Sequence, residues 1–356
     1  MAGDLVLSDE GELYAAIETT YGTSPASTTL VAGDVANLKT FKSSRAVVKV
    51  STEDQGGGLI PGVPGQPILK VGEHGTYSGS MLLREFAVPA TDTGARPDYD
   101  IFLRSGGLLA GVYSLGDQSV TYNMSLGGNG ESIVMRRREW DKNGKRVLHD
   151  MAGCRHGLKF KFIANNSIEI ELVDGNTLTY TYPSQVAAAD APPSLDLGTD
   201  NSAVPFIGAT TTLTQIGGST YTGKIRELNV GLVSRTEMLP SASNATGYCE
   251  AFSNQAEPTF DILMYEVSDA LQMREAWAVA DAHFRLVVSV PGPGTAGNTI
   301  DMNLFFDIMA ISEEAGPSGT LALRLTCKLL YGDRSSNTNP GVDPSESPFQ
   351  LVLTTA

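Results

Sequence analysis

Histidine and cysteine are scarce in this chain, with four of one and three of the other in 356 residues. Cys154, Cys249 and Cys327 are odd in number and far apart, so they imply no disulfide framework. Cys154-Arg155-His156 offers two possible metal ligands, but His74, His149 and His283 show no paired spacing that would complete a tetrahedral site. Four histidines also leave little general-base material, and no nucleophile elbow or HExxH helix is present. The expectation is a protein that is not an enzyme and holds no cofactor and no metal. No apolar run approaches membrane-spanning length, and the opening MAGDLVLSDE has neither the basic region nor the apolar core of a signal peptide. A chain made in the cytoplasm is expected.

Cations are the other shortage: 25 Lys and Arg stand against 40 Asp and Glu, a net charge of −15. That balance argues against a surface that grips nucleic acid by neutralising phosphates. It is compatible with a surface that DNA must pass without sticking. Two phosphate-binding patterns also fail on their context. Residues 292–297, GPGTAG, have the glycine spacing of a dinucleotide fingerprint, but the alternating strand NTIDMNLFFDIMAI follows where a helix start is needed. Gly144-Lys145 has no Walker spacing before it.

What is abundant is turn chemistry. Thirty-eight glycines, 18 prolines and many Thr-rich alternating runs predict a mainly β fold, with helices in the minority. One stretch organises the first half: a short strand around Ser78–Leu83, then a compact helix. Pro97 suits its first turn, Tyr99, Phe102 and Leu103 form its apolar face, and Gly106-Gly107 supplies a left-handed stop. The same order returns later as a strand at 258–267, a helix at 269–281 with Met273, Trp277 and Ala280 on one face, and a strand at 284–290. Further strands are expected near 221–233, 299–311 and 319–330, with a last one at FQLVLTT.

Two hairpins are legible between these units. Asn143-Gly144 is the preferred pair for a tight turn, and a two-residue turn there sets Asp141 opposite Arg146, Trp140 opposite Val147 and Arg137 opposite Asp150. A second hairpin centred on Asn165 sets Lys161 opposite Glu169 and Lys159 opposite Glu171, with Phe162–Ile168 and Phe160–Ile170 on the other face. LTYTY at 178–182 continues it as a third strand. Residues 52–67 and 333–348 read as long polar or glycine-rich loops. The Ala/Pro/Asp-rich segment 184–205 reads as a linker, dividing the chain into 1–183 and 206–356.

Residues 136–146 form a basic island, with six cations against Glu139 and Asp141. The expected register leaves Arg136 and Arg138 without an acidic partner. In so acidic a chain the most abundant partner is a neighbouring copy, so Arg136, Arg138, Lys142 and Lys145 are candidate subunit or ring contacts. Glu313 and Glu314 are candidates for the other side.

Several of these stretches together resemble one family. AIETTYGTSP near the start, the strand–helix unit SGSMLLREF…RPDYDIFLRSGG, MAGCRHGLKFKF, YTGKIRELNVGLVSRTEMLPSASNATGY and LALRLTCKLLYGD are similar, in order, to segments of the tail tube (major tail) proteins of long, non-contractile-tailed bacteriophages. The resemblance implies an antiparallel β-sandwich, barrel-forming tail-tube fold with a flanking helix per half, duplicated in this chain. It implies a virion protein that polymerises as stacked rings into the conduit for DNA ejection. Partners would be further copies, a tape-measure protein, and tail terminator and baseplate proteins, with DNA passing the lumen unbound and no membrane. A duplicated chain would form trimeric, pseudo-hexameric rings; the alternative is a hexamer with one tube fold per chain. The alternative function is a β-sandwich binding module, carbohydrate-binding or adhesin-like.

Overall fold

The computed structural model describes residues 6–23, 38–51, 68–86, 96–114, 118–124, 130–141, 146–181, 184–186, 202–221, 224–232, 235–254, 258–265, 274, 277–278, 282–294, 297–315, 320–330 and 347–355. The expected loops at 52–67 and 333–348 and the turn Asn143-Gly144 lie outside these residues. So does most of the expected helix 269–281, of which Arg274 and Trp277 are described and helical.

The chain is mainly β, with antiparallel sheets in a sandwich-like arrangement. The first half holds β1 (Val6–Ile17), β2 (Thr40–Ser51), β3 (Ile68–Leu82), helix α1 (Asp100–Ser105), β4 (Val112–Ser114), β5 (Ser119–Asn123), β6 (Ile133–Asp141), β7 (Arg146–Ile163), β8 (Glu169–Thr177), β9 (Thr179–Tyr180) and β10 (Ser184–Val186). The second holds β11 (Thr210–Gln215), β12 (Thr220–Tyr221), β13 (Lys224–Gly231), β14 (Arg235–Pro240), β15 (Tyr248–Asn254), β16 (Thr259–Tyr265), β17 (Phe284–Pro291), β18 (Thr299–Ala315), β19 (Leu321–Leu329) and β20 (Phe349–Thr354).

Period-2 patterning makes these strands, because successive side chains point to opposite faces. In β17 the run Phe284, Leu286, Val288, Val290 is buried and the residues between are half-buried; β19 and β20 alternate in the same way. The second expected hairpin is observed in its expected register: Lys159 faces Glu171, Phe160 faces Ile170 and Lys161 faces Glu169. Asn165 turns the chain at φ 67°, a left-handed conformation that Asn tolerates better than most residues.

Helix α1 is short, and its ends explain its shape. Pro97 stands just ahead of it, where the Pro97 carbonyl accepts the Asp100 N–H (2.9 Å). At the other end Leu108 N–H bonds the Leu103 carbonyl (3.0 Å) and Gly107 N–H the Arg104 carbonyl (3.3 Å), with Gly107 at φ 98°. This pair of bonds is a Schellman stop, which needs a residue free of the Cβ penalty. Tyr99, Phe102 and Leu103 are buried as expected. Asp100, in the first turn, is buried and accepts from Tyr122 Oη (2.8 Å) and Arg104 Nη1 (3.3 Å).

The two halves share one connectivity. In the first, antiparallel pairings run β1–β6, β6–β7, β7–β8, β8–β3 and β3–β2. In the second they run β11–β17, β17–β18, β18–β19, β19–β16 and β16–β13, also antiparallel. Each long strand, β7 and β18, carries a bulge where it changes neighbours, at Arg155/Gly157 and at Ile308/Ala310. The β14–β15 hairpin is inserted between β13 and β16, the position that residues 52–67 hold between β2 and β3.

Across the expected division the halves are joined. β7 pairs with β13 and β5 with β20, and one buried cluster holds Phe102, Phe160 and Ile170 together with Leu228, Phe306 and Phe349. Within the expected linker, Ser184–Val186 is a strand on β7. The strand expected at 178–182 is observed as the short β9, which prolongs β8 past Leu178 in the same register and pairs with Met151 and Ala152 of β7.

The register of the β6–β7 hairpin corrects the expectation by one residue. Trp140 faces Arg146, Glu139 faces Val147, Arg137 faces His149 and Arg136 faces Asp150. The reason is the face each side chain buries: Met135 and Met151 belong to the main buried cluster, whereas Ala152, which the expected register sets opposite Met135, packs with Tyr14 and Val134 in a separate one. Arg136 therefore has the acidic partner that Arg137 was expected to have, with Nε on Asp150 Oδ1 (2.6 Å) and Nη2 on Oδ2 (2.9 Å).

His156, one of the two conceivable metal ligands, is wholly buried at the β7 bulge. Its Nε2 donates to the Phe102 carbonyl (3.0 Å) and its Nδ1 accepts from Tyr77 Oη (2.9 Å), so both ring nitrogens are engaged in the neutral form. Burial pushes its pKa down from 6.5 to about 4. The unfolded chain thus takes up this proton first as pH falls. The stability His156 contributes is complete above about pH 6.5 and is lost on acidification toward about 4. A difference of 2.5 pKa units at 1.36 kcal/mol each corresponds to roughly 3 kcal/mol. Urea midpoints at pH 7.5 and 4.5 should fall less in His156→Gln than in the wild type; an equal fall in both would contradict this assignment.

Candidate assembly interface

Glu18, Tyr21 and Gly22 of the early AIETTYGTSP stretch form a polar knot where the two halves meet. Glu18 Oε1 accepts the Gly153 N–H (2.6 Å) and its Oε2 the Gly22 N–H (3.1 Å). Tyr21 Oη donates to the Gly153 carbonyl (3.3 Å) and accepts the Ala251 N–H. Burial raises the Tyr21 phenol to about 12, so it stays a donor at any physiological pH. Over its ring, at 5.0 Å, sits the Arg155 guanidinium, which also donates to the Ala251 carbonyl (2.7 Å) and pairs with Glu250. The first strand's exit, the β7 bulge and β15 are thereby locked together. The sequence names these residues through their motifs but not their meeting, since Glu18 and Glu250 lie more than 200 positions apart.

The residues expected at subunit contacts fall in three places. Arg136 and Arg138 are only 4% and 5% exposed. Arg136 is spent on Asp150, and Arg138 lies 4.6 Å over the Tyr14 ring. Lys142 and Lys145 lie outside the described residues. Glu313 and Glu314 stand at the far end of β18, which the structure does not bring to the β6–β7 hairpin: Glu313 pairs with Arg274 (2.8 Å) and Glu314 with Arg324 on the adjacent strand. The hydrogen bond from Arg324 holds the Glu314 carboxyl below its usual pKa. Near these pairs Met309 is 55% and Leu321 43% exposed.

Several described strands are missing from the sequence reading, β4, β5, β10 and β11 among them, and one of them, β2, has a single strand neighbour, β3, among the described residues. Residues 38–51 contain Lys39, Lys42, Arg45 and Lys49 and no acid. Arg45 pairs with Glu73 on β3, while Lys42 and Ser44 are exposed. An open cleft next to it, lined by Lys42, Ser44, Thr76, Asp174, Asn176 and Thr236 among others, is polar. It presents no exposed aromatic ring on which a sugar would stack.

GPGTAG closes the β17–β18 turn. The Glu85 carboxylate accepts the Gly294 N–H (2.9 Å) and binds Asn298, so the loop's donor is already matched by an anion of the chain itself. Among the described residues, no group of three or more His, Cys, Asp or Glu side chains is placed to share a metal ion. No helix among them is long and apolar enough to cross a membrane. No protein-family model matches the chain, and a search of the curated proteins finds no match.

Proposed function

We propose that this protein is a structural subunit that assembles with copies of itself into stacked rings, and that the stack is a bacteriophage tail tube serving as a conduit for DNA. The observation that carries the reading is the repeated connectivity: five antiparallel pairings of the first half recur, strand for strand, in the second. A subunit built from two like units occupies two positions of a closed ring, so a ring with six positions needs three chains. Two of the motifs that resemble tail tube proteins, AIETTYGTSP and MAGCRHGLKFKF, support the same reading, because their residues meet β15 in the knot between the two units.

The chain's role is then mechanical rather than catalytic, with a tape-measure protein inside the growing tube and terminator and baseplate proteins at its ends. Its net charge of −15 suits a wall past which a polyanion slides. The binding-module alternative gains nothing from the polar cleft beside β2, where the one aromatic side chain, Tyr77, is buried and offers no platform for a sugar. Sedimentation across a concentration series, with electron micrographs of the heaviest fraction, tests the proposal. Rings and filaments whose population rises with concentration are expected; a monomer at every concentration would refute it.

A further inference from the structure

The edge partners of β7 and β18 differ in one respect. Along β7, β6 pairs with Arg146–Cys154 on one edge, while β10 and β9 take the same stretch from the other. Since β9 prolongs β8, β8 lies on that second edge. Both β8 and β13 pair with Lys159–Lys161, so β13 lies on the edge of β6, beyond the bulge.

Along β18, β17 and β20 both pair with Thr299–Leu304 and so take opposite edges. At Phe306, β17 and β19 meet the strand together, which puts β19 on the edge of β20. Past Phe306 the edge held by β17 therefore carries no strand among the described residues. Trp277 Nε1 caps the Ile308 carbonyl (2.7 Å) at the start of this stretch, and Ala310, Ser312, Glu313 and Ala315 beyond it are exposed. This is the place that β13 fills on β7.

In the repeated connectivity the counterpart of β13 is β2. Where β13 is held between β16 and β7, β2 pairs with β3 alone among the described residues. The geometry points to an occupant: we propose that β2 of one copy adds antiparallel to Ala310–Ala315 of β18 in the next, repeating between chains the β7–β13 junction within the chain. This deepens the reading of a self-assembling subunit and rests on it. Main-chain hydrogen bonds across a paired edge supply the affinity, and the side chains supply the choice of partner.

The side chains match. Residues 38–51 carry four cations and no acid, and residues 307–315 carry Asp307, Glu313 and Glu314 and no cation; Arg45, Glu313 and Glu314 also have partners within the chain, which a neighbouring copy would share. In a chain of net charge −15 acidic surface is common, so charge favours contact with a second copy while the open strand edge selects the place. Exposed Val47 (38%) on β2 and Met309 (55%) beside the open edge give the junction apolar contacts as well. Because the two surfaces differ, the contact is head-to-tail, the kind that builds a ring when its rotation closes.

Paired cysteines test it. In a Cys249→Ser background, which removes the exposed thiol, one preparation carries Thr40→Cys, Lys42→Cys or Ser44→Cys and a second carries Ser312→Cys. Across an antiparallel pair, opposite Cα atoms come within disulfide reach. Mild oxidation of the mixture should give a covalent one-to-one dimer for one of the three β2 positions. Each preparation alone should give none, and a chain carrying both cysteines should give covalently closed rings. Rings that form without any cross-link, or homodimers from one preparation alone, would overturn the edge pairing while leaving self-assembly intact. A chain that stays monomeric would overturn both.

Discussion

Residues 1–183 and residues 206–356, produced separately, should each lack the cooperative unfolding transition of the full chain. The division looks natural in the sequence, yet the apolar surfaces it would expose are large. Phe160 and Phe162 of β7 lie opposite Val230 and Leu228 of β13. The Phe160 ring sits 5.3 Å from that of Phe349, and the Phe162 ring 5.6 Å from that of Phe206. Tyr122 and Val120 of β5 face Leu351 and Leu353 of β20. All of these are buried, and each fully buried side chain of this size contributes about 1.5–3 kcal/mol. Losing several at once exceeds the roughly 5–15 kcal/mol that holds a typical domain folded. Mixing the two pieces should restore the far-ultraviolet circular dichroism of the whole chain. A sharp thermal transition in either piece alone would show that the halves are independent after all.

Phe306→Ala should remove about 3–5 kcal/mol of folding stability. Phe306 is where β17 and β19 both grip β18, and no part of it is exposed. Its ring meets Phe260 edge-on at 4.7 Å and stacks toward Phe284 at 6.0 Å, so truncation leaves a cavity bounded by rigid rings that cannot close it. Three residues on, the same strand behaves differently: Met309→Ala, at a side chain 55% exposed, should change folding by no more than about 0.5 kcal/mol. If Met309 lies at a contact between copies, its loss should appear instead as a higher concentration needed for assembly. Chemical denaturation of both variants beside their sedimentation separates the two effects. Equal destabilisation by both substitutions would contradict this account of β18.

The elements that the sequence announces are those whose partners lie nearby in the chain. The β7–β8 hairpin was legible because its charge ladder, its aromatic face and Asn165 all agree on one register. The β6–β7 register was not, because Asp150 can meet Arg137 or Arg136 with equal electrostatic sense; the burial of Met135 against Met151 makes the choice, and burial is a property of the fold. The run TFKSSRAVVKVS hides β2, since an edge strand with one neighbour needs no continuous apolar alternation. The junctions β7–β13 and β5–β20 are backbone pairings, which leave no residue signature at all. For the candidate interface, the sequence pairs Glu313 and Glu314 with Arg136 and Arg138 of a neighbouring copy. Those two arginines are buried, and the exposed cation Lys42 lies on the strand the sequence hid.

The stoichiometry of a single ring tests the central claim most directly. Native mass spectrometry of isolated rings, read beside the rotational symmetry of end-on electron-microscope views, should find three chains in a ring with threefold symmetry and near-sixfold features, since each chain supplies two like units. Six chains in a ring, or a protein that forms no ring at any concentration, would contradict it.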